Sequence, residues 1–302
     1  MPDKLLYYVK RDKYLLFLVL PGFLYFLVFA YMPMFGVVMA FQNFKINTGY
    51  LGSQFVGLKW FIQFAQSPFF FRLIKNTFLL SFLGLITGLP ASIIFALMLN
   101  EVGNGAFKRI TQSVSYFPYF ISTVVVVGIL VNLLNPVDGV VNNILKSFGR
   151  EPINFMNDAA WFRTIYVSSG VWQSFGWNAI LYIGAISAID PTLYEAAMID
   201  GAGRFQRIRY ITLPGIVPVL VMTLILALGG ILNVGFEKII LMYNPATYSV
   251  ADVISSYVFR VGLVDAQYSY SSSIGLFNSV VNTVFILIAN TISKRVTGIY
   301  LW

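Results

Sequence analysis

Neither cysteine nor histidine occurs in the chain. Their absence excludes a disulfide, a Cys/His zinc or haem site, a cysteine nucleophile, a Ser-His-Asp triad and a histidine proton relay. Charge is scarce as well: Asp, Glu, Lys and Arg make up 11% of the 302 residues, against about 25% in an ordinary soluble domain. A Gly-x-x-x-x-Gly-Lys-[Ser/Thr] phosphate loop is also missing, and the dipeptide Gly-Lys occurs nowhere. The chain therefore lacks the usual glycine-rich cradle for a nucleotide.

What it has in excess is apolar surface. Hydrophobic residues account for 58% of the sequence, more than an interior of this size accommodates, so lipid is the expected solvent. The 28 Phe and 18 Tyr suit a hydrocarbon core bounded by two amphipathic interfaces. A formal charge of +8 invites a nucleic-acid reading. The basic residues are scattered between long apolar runs, however, and read as a solvated cytoplasmic rim; no nucleic-acid partner is expected.

A helix needs about 20 apolar residues to cross the hydrocarbon. Six such stretches are expected, at 14–40, 76–100, 113–134, 165–189, 216–243 and 274–292, giving an all-α integral membrane protein with one transmembrane domain over 1–302. Pro21, Gly22 and Pro33 are expected to kink the first span. That span is about twice the length of a signal-peptide core and lacks a small-residue cleavage site, so it reads as retained. The connectors at 135–163 and 244–273 have room for a lid or a short surface helix. A serine in Tyr268-Ser269-Tyr270-Ser271-Ser272-Ser273 is placed to cap the last span. With both termini cytoplasmic, the shorter inner segments hold Lys4, Lys10, Arg11, Lys13, Lys108, Arg109, Arg204, Arg207, Arg209, Lys294 and Arg295. Positive charge is then denser inside, which favours that orientation.

The segment Asp190-Pro191-Thr192-Leu193-Tyr194-Glu195-Ala196-Ala197-Met198-Ile199-Asp200-Gly201-Ala202 lies between the fourth and fifth spans. It reads as a short capped helix outside the hydrocarbon. Asp190 suits the N-cap with Pro191 at the first helical position, and Thr192 with Glu195 offers an alternative capping box. Gly201 suits a left-handed exit. Ala196 and Ala197 keep the helix slim enough for close approach by another backbone. On this chemistry alone, a tidy cytoplasmic loop without a partner is the better account.

Glu195-Ala196-Ala197-x-x-Asp200-Gly201-Ala202-x-x-x-Phe205-x-x-Ile208-x-x-Ile211-x-Leu213-Pro214 resembles the EAA loop of permease subunits of binding-protein-dependent ABC importers, in the form found in maltose-type sugar importers. The resemblance implies the type I ABC importer permease fold and assigns 190–214 as the loop that couples to an ATPase subunit. Glu195, Ala196, Ala197, Asp200, Gly201 and Arg204 would make that contact. Tyr116-Phe117-Pro118-Tyr119-Phe120-Ile121-Ser122 is similar to the stretch that opens the third span in such permeases, while the stretch from Gly235 to Pro245 and that from Tyr268 to Gly275 resemble the branch that carries oligosaccharides and polysaccharide fragments, including lipoprotein-linked and alginate-type systems.

A saccharide path needs amides for hydroxyl groups and aromatic faces for pyranose rings. Trp172, Gln173, Trp177 and Asn178 in the fourth span, Asn233 and Glu237 in the fifth, and Asn278 and Asn282 in the sixth are the candidates. Gln173 and Trp177, Asn233 and Glu237, and Asn278 and Asn282 share the i,i+4 spacing of one helix face. The competing reading is that the amides bind helices together and the tryptophans fill gaps. Glu237, followed by Lys238, reads as an interfacial pair or hydroxyl acceptor rather than a proton carrier.

The expectation is a non-catalytic permease in a bacterial cytoplasmic membrane, surrounded by lipid. The resemblance implies three protein partners: a second homologous permease, an ABC ATPase dimer and an extracytoplasmic solute-binding protein. ATP and Mg would be used by the ATPase, with no cofactor on this subunit. The alternatives are a secondary transporter or facilitator without an ATPase, and a membrane scaffold.

Overall fold

In hydrocarbon a helix closes every backbone hydrogen bond within its own segment, and the chain is helical over most of its described length. The computed structural model describes residues 11–103 and 105–302; Lys4 and Lys10, expected at the inner flank, lie outside them. The described residues form two compact units.

The smaller unit comprises described residues through Gln66 and Val258–Phe277. It begins with α1 (Lys13–Phe26), whose helical path continues to Phe41 through a π-helical turn, Leu27–Tyr31, and a 3₁₀ stretch, Met32–Phe41. Pro21 lies inside α1, and the tighter winding begins beside Pro33. None of the apolar window of this helix is buried within the chain, so lipid or another subunit must solvate it. An antiparallel pair of two-residue strands follows, β1 (Gln42–Asn43) with β2 (Gln54–Phe55). The Trp60 indole donates to the Gln42 carbonyl at 2.8 Å, and the Phe64 ring meets Phe277 at 5.6 Å.

The larger unit comprises Ser67–Tyr257 and Asn278–Trp302. Its principal helices are α2 (Phe70–Glu101), α3 (Ala106–Tyr116), α4 (Thr123–Leu133), α5 (Val140–Ser147), α6 (Ala159–Ser187), α7 (Pro191–Ile199), α8 (Leu213–Gly229) and α9 (Phe236–Met242). The last helix, α10 (Tyr268–Thr297), begins in the smaller unit and continues into the larger. Two fully buried alanines, Ala96 of α2 and Ala179 of α6, share a core cluster with Tyr182, Ile186 and Ile216. Small residues of this kind let membrane helices approach closely. Gly176 does the same for α3: a side chain there would overlap the Ser115 carbonyl.

Among the described residues, four helical paths are long and apolar enough to cross a membrane: Lys13–Phe41, Phe70–Glu101, Arg204–Gly229 and Tyr268–Thr297. The expected third span is bent by 99° between Phe120 and Thr123 and counts as a fifth only if both arms are taken together. The cause is local: Pro118 sits at the start of a 3₁₀ turn, Ile121 is extended, and Ser122 caps a new helix by accepting from Val125 N–H. The helix α6, where the fourth span is expected, has 29 residues, about 43 Å of rise. Its polar residues keep it outside the apolar set. The expected fifth span stops at Gly229, and 230–235 is non-helical before α9. At the last span no serine stands before the helix, because α10 already begins at Tyr268. Ser271 and Ser273 instead donate back to the Tyr268 and Tyr270 carbonyls, and Ser269 accepts from Phe44 N–H.

Within the 135–158 connector, one buried side chain gathers four backbone groups. Asn142 of α5, fully buried, donates to the carbonyls of Leu134, Asn135 and Ile153 and accepts from Ile153 N–H at 2.8 Å. Asn142→Ala strands several backbone groups, each costing about 1–3 kcal/mol. The expected result is a lower thermal unfolding midpoint in mild detergent together with faster amide exchange at Ile153. An unchanged midpoint would show that the connector does not depend on this residue.

Candidate functional site

The loop between α6 and α8 is built by its end residues. Asp190 caps α7 by accepting from Thr192 N–H at 2.9 Å, with Pro191 at the first helical position. The backbone bond from Thr192, then its side chain, holds the Asp190 carboxyl below its ordinary pKa. The charged cap therefore supports the helix at neutral pH and is lost only as the pH falls through that lowered value. At the other end Gly201 has φ +79°; Gly201 N–H reaches the Met198 carbonyl and Ala202 N–H the Ala197 carbonyl. This is a Schellman exit, with the glycine where a left-handed residue is required.

Two side-chain contacts fix the loop to the larger unit. Tyr194 Oη lies 2.9 Å from Thr212 Oγ1, itself buried, and Arg204 Nε lies 3.8 Å from Glu101 Oε2 at the end of α2. Glu195, Ala196, Asp200 and Gly201 are exposed and Ala197 is partly buried. Around them Leu193, Met198, Ile199 and Phe205 are also exposed, Ile199 and Phe205 to 87% each.

The candidates on α6 separate into three groups. Gln173 Nε2 donates to the Ile121 carbonyl at 2.9 Å, where the α3–α4 path is broken. One turn on, Trp177 stacks on Tyr119 with centroids 4.7 Å apart and meets Phe120 edge-on. Thus Gln173 and Trp177 share a face that repairs and packs the break. Trp172, 44% exposed, points elsewhere and lines a separate, mainly apolar groove with Phe95 and Phe175. Asn178 lines a cavity of about 410 Å³ with Tyr166, Gly170, Ser174, Tyr182 and Thr223.

Asn233 and Glu237 do not share a helix face. Asn233 lies in the unwound stretch and only Glu237 in α9, because Gly229, Gly230 and Gly235 interrupt the helix. Asn233 Oδ1 instead accepts from Asn278 at 3.0 Å and Asn282 at 3.1 Å, while Asn282 Oδ1 accepts from Leu232 N–H. Glu237 is exposed, whereas its neighbour Lys238 is buried and donates to the Tyr166 carbonyl, so the two form no ion pair. Sequence reasoning missed Tyr119, Phe120, Glu101 and Arg163, and it placed Lys238 beside Glu237 at the interface. Pro118 four residues before Ser122 was the available sign of the break.

Residues 88–298 match the family described as the binding-protein-dependent transport system inner membrane component. Protein LplB of Bacillus subtilis (strain 168) is 44% identical over 95% of this chain and 90% of its own length. The polygalacturonan/rhamnogalacturonan transport system permease protein YteP of the same organism is 43% identical over 98% and 93%. Among solved structures, a chain of a bacterial ABC transporter involved in the import of the acidic polysaccharide alginate is 45% identical, with TM-score 0.90 over 97% of this chain and 99% of that one. A chain of a bacterial alginate transporter in complex with a periplasmic protein bound to alginate pentasaccharide gives 44% and 0.89 over 97% and 98%.

The two amides of α6 should respond differently to truncation. Gln173→Ala frees the Ile121 carbonyl and should lower the detergent unfolding midpoint, equivalent to roughly 1–2 kcal/mol. Asn178→Ala, at a cavity wall, should leave the midpoint within error. Equal effects would show that the break is not supported by Gln173.

Proposed function

The chain belongs to the family of binding-protein-dependent transport system inner membrane components, and we propose that it is the permease of an ATP-driven importer of oligosaccharides or polysaccharide fragments. The observation that carries the ATPase coupling is the loop at 190–214. A rigid, doubly capped helix between two membrane helices exposes Leu193, Met198, Ile199 and Phe205 around Glu195 and Asp200. Exposed apolar side chains clustered with charges are the composition of a protein-docking surface. The partner in this reading is an ABC ATPase dimer, which binds ATP and Mg. Glu195, Ala196, Ala197, Asp200 and Gly201 make the contact, and Arg204, tied to Glu101, passes motion to α2.

A second, homologous permease completes the path, and a solute-binding protein delivers the saccharide to the opposite side. Both termini and the loop are cytoplasmic. Closure of the ATPase dimer displaces α7. The Tyr194–Thr212 and Arg204–Glu101 contacts carry that displacement into α8 and α2, and the membrane helices rock between inward and outward access. Within the membrane, Trp177 with Tyr119 offers an aromatic face for pyranose rings, and Asn178, Asn233, Asn278 and Asn282 offer amides for hydroxyls. Trp172 and Glu237, which the geometry sets apart from these, are the weaker members of the path. The relatives' saccharide cargoes support the substrate class.

The loop can be tested with a single cysteine, since the chain has none of its own. In Ala202→Cys a cytoplasmic thiol reagent should label the loop, and bound ATPase should protect it. Labelling from outside only overturns the orientation; equal labelling with and without ATPase overturns the contact. Separately, Gly201→Val costs about 1 kcal/mol or more in the left-handed exit, with no neighbour within 4 Å to clash. It should assemble yet lose most substrate-stimulated ATP hydrolysis. Normal stimulation would dissociate the exit geometry from coupling.

A further inference from the structure

The groove that holds Trp172 contains none of the amides assigned to the path. It has a volume of about 800 Å³ and runs between α2 and α6, inside the larger unit. Leu83, Ile94 and Met98 of α2 line it, facing Val167, Val171 and Trp172 of α6. Its hydroxyl groups are engaged by their own helices. Thr87 Oγ1 donates to the Leu83 carbonyl at 2.6 Å, and Ser168 Oγ to the Ile165 carbonyl at 3.4 Å. The wall is therefore apolar along its length.

A charge stands at one end of it. Arg163, near the start of α6 and half-buried, is the cation among the lining residues. Its guanidinium donates to Asn76 Oδ1 at 3.1 Å, a neutral acceptor, and its Nε is buried without a partner. Asn76 in turn donates to the Ser249 and Asp252 carbonyls. The Asp252 carboxylate is taken by Arg72 at 3.5 Å and by Ser256 Oγ at 2.8 Å. No ion pair joins Arg163 to a carboxylate among the described residues. A guanidinium with five donors and no counter-charge suits an oxyanion.

The dimensions select the occupant. From Arg163 to Phe175, both in the groove wall, α6 rises about 18 Å. That is somewhat more than one leaflet of a hydrocarbon core about 30 Å thick. A transmembrane helix needs a track through both leaflets, whereas an acyl chain needs only one. Arg163 also stands just ahead of the apolar run that begins at Ile165, where a basic side chain meets lipid headgroups. The 190–214 loop follows the other end of α6.

We propose that the α2–α6 groove binds an anionic phospholipid from the leaflet opposite the 190–214 loop. Arg163 takes the phosphate, and one acyl chain lies along the groove against Trp172. A net negative headgroup supplies the missing counter-charge; a zwitterionic one carries its own cation and supplies none. Trp172 then packs on lipid and leaves the saccharide path.

The test uses the chain purified with its partner subunits and placed in lipid nanodiscs. The probes are phosphatidylglycerol and phosphatidylcholine with the same photoactivatable acyl chain, and crosslinked peptides are mapped by mass spectrometry. Labelling of the groove segments around Ile94 and Trp172 is normalised to labelling of the whole complex by each probe. The expected preference for phosphatidylglycerol is about fivefold. Arg163→Gln should abolish it, and Arg163→Lys should keep most of it. Excess glycerol phosphate, an anion without a chain, should not compete. Ala91→Phe fills the groove without touching the Arg163–Asn76 bond, and should remove most groove labelling even if Arg163→Gln fails to assemble. Equal labelling by the two lipids, or a preference that survives Arg163→Gln, would overturn the proposal. So would unchanged labelling in Ala91→Phe, or full competition by glycerol phosphate. A groove labelled in the isolated chain but protected in the complex would assign it to another subunit, and would overturn the proposal too.

Discussion

A peptide group in the hydrocarbon of a membrane has no bulk water to turn to. A departure from the helix must therefore be repaired within the protein, by rewound backbone or by a side chain. The α3–α4 path breaks at Ile121, and Gln173 meets the freed carbonyl. After Gly229 the chain unwinds, and Asn282 accepts from Leu232 N–H while Asn233 takes bonds from Asn278 and Asn282. Outside the principal helices the same rule holds. Asn142 gathers the 134–153 connector, Thr77 accepts from Ile254 N–H, and Asn76 donates to the Ser249 and Asp252 carbonyls. Amides serve because each carries both donors and an acceptor. The polar residues that suggest a saccharide path are therefore also those that make a broken-helix architecture possible.

This double duty explains what could be read from the sequence. Apolar runs locate helical paths because lipid demands them, and the caps of α7 follow from Asp190, Pro191 and Gly201 without tertiary information. Periodicity carried the face shared by Gln173 and Trp177 because α6 is unbroken there. It failed for Asn233 and Glu237, where glycines end the helix and the i,i+4 rule no longer applies. The break at Ile121 was hidden for a similar reason: hydropathy averages across a bend, so a path turning through 99° reads like a straight one. Long-range pairings such as Arg204 with Glu101, or Lys238 with the Tyr166 carbonyl, leave no local trace.

Stiffness is distributed unevenly along the 190–214 loop. The capped helix is short and defined at both ends, and its ties, Tyr194 to Thr212 and Arg204 to Glu101, are few and discrete. Such a part moves as a body. The Arg204–Glu101 pair is loosely spaced and its arginine exposed, so it contributes little to stability. The Tyr194 hydroxyl, against a buried threonine, is the firmer tie.

The first helix, with none of its apolar window buried inside the chain, and the apolar residues standing out from α7 have a shared consequence for the life of the protein in a cell. A copy without partners shows two unfinished surfaces, one to lipid and one to water. Chaperones and membrane proteases recognise unfinished surfaces, and binding energy that covers them adds directly to folding stability. Whatever partner covers these surfaces, its supply would then set how much of this chain persists.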